Sequence, residues 1–278
     1  MSVFDDPKID CHCHLLDPSR FPYAGDAPYR PEGGEIATAE QMNHVFAAYG
    51  IGHALIVQPN SGYSEDNSCL LSALDAGAGR FKGVAVVAPD ISLDSLAALK
   101  ARHIVGIAFN LPLYGPGPYL ETRRLLDMLA ELDMFLQIQV QDDQLLTLTP
   151  LIEASPVRLL FDHCGRPAID KGLEQSGFQK LLSYGRSGRG AVKLSGFSKF
   201  SAQAHPYDDA NPYVEALLEA FTPSNCLWGS DWPFLRAPAR IDYVPLLRLA
   251  ETQIPDASAR RQIFWDTPMR LFRFGDQS

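Results

Sequence analysis

The chain has no apolar run near the ~18 residues needed to cross a bilayer, and no block of basic residues. It opens on the acidic stretch MSVFDDPKID rather than on a basic-then-apolar leader. These absences argue against a membrane span and a secretory leader, and the expected compartment is the cytoplasm. Lysine and arginine total 24 against 33 aspartates and glutamates, a net charge of −9. The basic footprint that phosphate backbones require is missing, so nucleic acid is not an expected partner. Neither G-x-G-x-x-G nor G-x-x-x-x-G-K-[ST] occurs, which removes the common nucleotide cradles. G-x-S-x-G is absent as well, and with it the usual nucleophile elbow of a serine hydrolase. Cysteine is scarce, five in 278 residues and never as C-x-x-C, which agrees with a reducing compartment and excludes that redox motif.

Against this scarcity, KIDCHCHLLDP at residues 8 to 18 places Cys11, His12, Cys13 and His14 in succession. Successive side chains of a strand point to opposite faces. Regular alternation therefore puts Asp10, His12 and His14 on one face and Ile9, Cys11, Cys13 and Leu15 on the other. The four cannot close on one ion, and paired zinc cysteines are spaced wider than this. Cys11 and Cys13 are expected as buried thiols packed outward against helices.

What is abundant is apolar content, 46% of the chain, enough for a full core. Short apolar runs rich in β-branched residues recur at KIDCHCHL, HALIVQP, FKGVAVVAP, HIVGIAFN, MFLQIQV, VRLLFDH, GAVKLSG and CLWGSDW, with helical periodicity between them. Thr38 and Gln41 form a capping-box pattern closed by Gly50, and Asn211 before Pro212 reads as an N-cap and first helical position. The helix after the fifth strand is expected to be interrupted by Pro150. Eight strand–helix repeats point to an α/β chain forming one (β/α)8 TIM barrel over residues 1–278, with a long Pro/Gly-rich loop at residues 16 to 37 after strand 1. Loops of that length commonly carry function.

In such barrels chemistry sits at the C-terminal ends of the strands. The inward candidates are His12, His14, Gln58, Asn60, Asn110, Gln139, Gln141, His163, Lys193, Ser195 and Asp231. Strands 8 and 1 meet when a barrel closes, so Asp231 is expected near His12, His14 and His163. Lys193 and Asp10 lie deeper, and a buried charge is tolerable only when paired; a Lys193–Asp10 pair is expected. Cys164 should turn away from the mouth.

The segments IDCHCHLLDP, APYRP, VQPNSGYSEDN, GRFKGVAVVAPD, VGIAFN, DHCGRP, VKLSGFSKFS, CLWGSDWPF and WDTPMRLF, in this order, resemble the amidohydrolase superfamily. The resemblance is to its branch of 2-pyrone-4,6-dicarboxylate lactonases and sugar-lactone hydrolases. It implies that Asp231 is the base that activates water, while His12, His14 and His163 polarise the lactone carbonyl. Partial burial is expected to raise the Asp231 pKa toward working pH, and imidazole N–H donors suit a developing oxyanion. The resemblance makes Tyr29 a substrate contact. Gln58, Asn60, Ser61, Tyr63, Asn67, Asn110 and Gln139 are further expected contacts, and Lys199 and Arg236 are candidates for a substrate anion.

Metal-dependent members carry histidine at the end of strand 5, where this chain has Gln139. No cofactor is therefore the favoured expectation. A zinc ion on His12, His14 and Asp231 is the alternative, since catalytic zinc commonly has three protein ligands. Where the pyrone enzyme has arginine on strand 4, this chain has Ala108, so the dicarboxylate itself is not assured. The expected partner is a small lactone or carboxylated substrate, with no nucleic acid and no membrane, and self-association is left open. The competing functions are a zinc-dependent amidohydrolase or decarboxylase on the same scaffold and, more remotely, a non-catalytic binding barrel.

Overall fold

The computed structural model describes residues 2–25, 27 and 29–275; Pro28 of the APYRP segment lies outside them. The strands are β1 (Lys8–Cys13), β2 (Ile51–Val57), β3 (Phe81–Ala85), β4 (Ile104–Asn110), β5 (Phe135–Gln139), β6 (Arg158–Phe161), β7 (Gly190–Leu194) and β8 (Cys226–Trp228). All pair in parallel and in chain order. The seam closes just past β8: Asp231 N donates to His12 O at 2.7 Å, and His14 N donates to Trp232 O at 2.8 Å. The chain is thus the (β/α)8 barrel that its strand–helix alternation predicts.

The connecting helices are α1 (Ala39–Tyr49), α2 (Ser68–Ala76), α3 (Leu93–Ala101), the single turn α4 (Leu111–Tyr114), α5 (Arg123–Glu131), α6 (Gln144–Glu153), α7 (Ser176–Arg186) and α8 (Asn211–Phe221). Then come α9 (Tyr243–Gln253), α10 (Ala257–Arg261) and α11 (Thr267–Phe272). None is long and apolar enough to cross a membrane. The capping box of Thr38 and Gln41 forms at α1, and Gly50 ends it at φ 67°. Two expectations fail locally. Asn211 is the first residue of α8 rather than its cap, and its side-chain oxygen accepts instead from Gln253 on α9 at 3.0 Å. α6 runs unbroken through Pro150, which lies on an exposed face, as does Leu146 one turn earlier, so water can reach the carbonyl that loses its partner.

The barrel interior is layered. Ile9, Leu55, Val84, Phe135, Leu160, Ala191 and Leu227 fill the lower part, and Phe272 and Phe274 plug the bottom. Above them the inward side chains turn polar, beginning with Gln137 and Lys193, both essentially without solvent exposure. A larger apolar shell, including Cys13, Ile56, Ile107 and Val192, fills the space between the barrel and its helices.

Strand β1 departs from regular alternation. Its register against β2 slips between Asp10 and Cys13, where three steps on β1 match two on β2, the signature of a bulge. Cys11 therefore packs inside the barrel with Ile9, while Cys13 packs outside as expected. Asp10 is carried to the outer side. There its carboxylate accepts from Ser230 Oγ at 2.5 Å, Tyr243 OH on α9 at 2.8 Å, Ser230 N at 3.0 Å and His12 N at 3.1 Å. Asp10 thus ties β1, the end of β8 and α9 together at the barrel seam, and the expected Lys193–Asp10 pair does not form.

Candidate active site

The bulge lets His12 and His14 both face the mouth. His163 and Asp231 reach it by another device, left-handed backbone at φ 52° and 63° just beyond β6 and β8. Two glycines make room for the rings. A Cβ on Gly229 would lie 2.7 Å from His12 Cβ, and one on Gly196 would run into the His163 ring. Three strand ends thus deliver four side chains to one level of the barrel.

The Nε2 atoms of His14, His12 and His163 stand 3.4, 3.7 and 3.7 Å from the same Asp231 oxygen, Oδ1. That oxygen is buried and has no hydrogen-bond partner among the described residues. The other oxygen, Oδ2, takes an ion pair from Lys199 at 2.9 Å. Burial pushes the Asp231 carboxyl up, but the Lys199 ammonium and the adjacent imidazoles outweigh it and hold it well below the usual carboxylate range. The expected upward shift is reversed because Lys199 lies over the carboxylate instead of in solvent. Burial holds the His163 ring well below its ordinary value. Burial and the Lys193 ammonium bring His12 down to about 4, so both rings are neutral near pH 7.

Each ring has a second anchor. His14 Nδ1 donates to Val57 O at 2.8 Å, and His163 Nδ1 meets Ser195 Oγ at 3.0 Å. His12 Nδ1 faces Lys193 Nζ at 3.1 Å. Lys193 also donates to Gln137 Oε1 at 2.6 Å and pairs with Asp162 Oδ1 at 3.0 Å, and Gln137 Nε2 donates to Asp162 Oδ2 at 2.8 Å. Burial alone would raise the Asp162 carboxyl, yet Lys193 keeps it far below its ordinary value. The partner of Lys193 is therefore Asp162, just past the neighbouring strand β6, rather than Asp10. Gln137 and Asp162 were not expected at the site. The alternation Gln137, Gln139, Gln141 pointed to the first. No sequence signal pointed to the second, because the alternation of β6 ends at Phe161 and the next two residues both turn inward.

The three histidines, Asp231, Asp162 and Gln137 line a cavity of about 460 Å³ at the mouth. Asn60, Ser61, Asn110 and Gln139 line it, with Asn110 Nδ2 donating to Asn60 Oδ1 at 3.0 Å. Gln58 borders it, but its amide holds the following loop by donating to Asp66 O at 2.8 Å and Ser64 O at 3.1 Å. Lys199 and Arg236 line the opposite rim with Arg166, whose buried Nε has no hydrogen-bond partner among the described residues. Three expected contacts lie elsewhere. Tyr63 is buried and accepts from Asp17 N at 3.0 Å, and Asn67 pairs with the Val86 backbone at 2.8 and 3.1 Å. Tyr29 donates to Glu35 at 2.5 Å and reaches the cavity only through Arg236, whose guanidinium sits 5.2 Å from its ring. Cys164 is fully buried in the outer shell and its thiol is pushed up to about 12, which keeps it protonated and unreactive.

His12, His14 and Asp231 present ligand atoms within 4.8 Å of one another, as do His12, Asp162 and His163. The 3.4–3.7 Å separations around Asp231 Oδ1 approach the roughly 3.3 Å edge of a tetrahedral zinc site. Spacing alone thus suits a cation. The surroundings of His12 suit it less: its Nδ1 stands 3.1 Å from the Lys193 ammonium, which can only donate, and a ring that accepts there carries its proton on Nε2, where a metal would need a lone pair. The set fits a carboxylate with imidazole partners better than a metal cage.

The amidohydrolase family model matches residues 9–274. The chain is 32% identical over 272 residues to 4-sulfomuconolactone hydrolase of Rhizobium radiobacter, covering 95% of this chain and 89% of the relative. It is 26% identical over 280 residues to 2-pyrone-4,6-dicarboxylate hydrolase of Comamonas testosteroni, covering 95% and 89%. Among solved structures, a probable 2-pyrone-4,6-dicarboxylic acid hydrolase of Acinetobacter baumannii with bound citric acid superposes with a TM-score of 0.86 at 26% identity, over 96% of this chain and 99% of that one. With a family model spanning nearly its whole length and a relative this similar, the chain belongs to the amidohydrolase family.

Proposed function

We propose that the protein hydrolyses a small lactone bearing an anionic group, with Asp231 accepting the proton of the attacking water. The observation that carries this reading is the Asp231 Oδ1 atom: an ionised, unbonded carboxylate oxygen ringed by three imidazole Nε2 atoms in an open cavity. Water attacks the carbonyl carbon and passes its proton to Asp231. The oxyanion draws on the His12 Nε2–H, held in place before the reaction begins. Collapse breaks the ring C–O bond, and Asp231 returns the proton to the departing oxygen, which leaves a hydroxy acid or its enol. His163 and His14 are fixed by Ser195 and Val57, and His14, whose Nδ1–H is taken by Val57 O, turns an Nε2 lone pair to the mouth that can accept from the attacking water.

The anionic group is inferred from the rim. Lys199, Arg166 and Arg236 place three cations on one side of the cavity, whereas Ala108 leaves the strand-4 side uncharged. The substrates for which these two relatives are named, a sulfonated and a dicarboxylated lactone, are of this kind. The test is turnover of a panel of anionic and uncharged lactones, with and without chelator, in wild type and Asp231→Asn. The expected result is chelator-insensitive hydrolysis, with kcat reduced at least ~10²-fold in the variant, as for loss of a general base. Full activity of Asp231→Asn on the best substrate would reject the mechanism.

A further inference from the structure

We propose that Lys193 acts as a positioning residue that locks His12 with its proton on Nε2, making that imidazole a donor toward the substrate and denying the mouth a metal ligand. The proposal deepens the hydrolase reading, but its decisive measurements need no turnover.

Inward alternation along β7, Ala191 then Lys193, brings a completely buried ammonium under the catalytic level. An ammonium has three donors and no lone pair. Its neighbours are Gln137 Oε1 at 2.6 Å, Asp162 Oδ1 at 3.0 Å and His12 Nδ1 at 3.1 Å. Gln137 is held in the orientation that turns its oxygen to Lys193, because its amide nitrogen donates to Asp162 at 2.8 Å. Every group around Nζ must therefore accept, and a neutral ring accepting at Nδ1 carries its proton at Nε2.

The competing arrangement is also built into the site. Asp162 Oδ1 lies 3.3 Å from His12 Nδ1, close enough to take a proton from it were Lys193 absent. An imidazole donating its second nitrogen to a carboxylate is how metal-bound histidines are normally oriented. His14 already has the equivalent bond, to Val57 O at 2.8 Å. Of the two β1 imidazoles, then, His14 is ready for a metal and His12 is held out of readiness by one lysine. Lys193→Met should release Nδ1–H to Asp162 and turn the Nε2 lone pair toward Asp231 Oδ1 and His14 Nε2.

Two measurements test this. Long-range ¹H–¹⁵N spectra of histidine-labelled wild type near pH 7, with His12 assigned by His12→Gln, should show the Nε2–H tautomer; an Nδ1–H tautomer overturns the proposal. Zinc titrated against a chelating dye should bind Lys193→Met roughly 10–100-fold more tightly than wild type, with the gain reduced when Asp162→Asn is added. Equal zinc affinity in wild type and Lys193→Met overturns it. If Lys193→Met fails to fold, Asp162→Asn should keep the Nε2–H tautomer, because Lys193 still donates to Nδ1, and an Nδ1–H tautomer there overturns the proposal. A wild type inactive on every lactone but showing Nε2–H at His12 would reject the hydrolase reading while supporting this one.

Discussion

Lys199→Gln tests how the Asp231 carboxylate is set. The ammonium stands 2.9 Å from Oδ2, with the lysine and aspartate side chains 22% and 6% exposed. At an effective dielectric near 20 the gross attraction at that distance is about 6 kcal/mol. Most of it offsets desolvation, and the remainder favours the charged form of the carboxyl. Loss of Lys199 should therefore raise the Asp231 pKa, since burial, which pushes the carboxyl up, is no longer outweighed. The active form is the carboxylate, present above its pKa, so the acid limb of kcat/KM must move up in the variant. The assay is kcat/KM from pH 3.5 to 8 on an uncharged lactone. The limb should move to higher pH while turnover near pH 7 is kept or increased. On an anionic lactone kcat/KM should fall about 10–100-fold, as for a lost charged hydrogen bond of roughly 1.5–3 kcal/mol. An unmoved limb, or equal losses on both substrates, would refute the reasoning.

Two stability predictions accompany it. His12 is held from 6.5 down to about 4, chiefly by burial, so between those values the unfolded chain binds a proton that the folded one does not. Stability must then fall as pH drops through this window, by up to ~3 kcal/mol from this ring alone. Urea unfolding at pH 7 and pH 4.5 measures the loss, and equal stability at both would contradict the burial of a neutral ring. In double-mutant cycles, Lys193→Met and Asp162→Asn should couple by roughly 3 kcal/mol, as a buried pair does when one partner is removed. Lys193→Met and Asp10→Asn should couple by less than ~1 kcal/mol; the reverse order would restore the Lys193–Asp10 pair.

The sequence by itself determined the architecture and the types of residue at the mouth. Eight apolar runs separated by helical periods leave one economical way to bury both kinds of element, and the H-x-H of β1 with His163 and Asp231 marks the level where that barrel turns polar. These are local patterns, readable because period and strand end carry them. Tertiary structure alone decided who touches whom. The bulge in β1 sends Asp10 outward to Ser230 and Tyr243 and Cys11 inward, which no alternation rule anticipates, because a bulge appears only when β1 is matched against β2. It left Lys193 to pair across β6 and β7 with Asp162. Closure of the barrel laid Lys199, from a loop 32 residues before Asp231, onto that carboxylate and reversed the sign of its pKa shift. Charge pairing inside a barrel depends on distances between strands far apart in the chain, and those exist only once the sheet has closed.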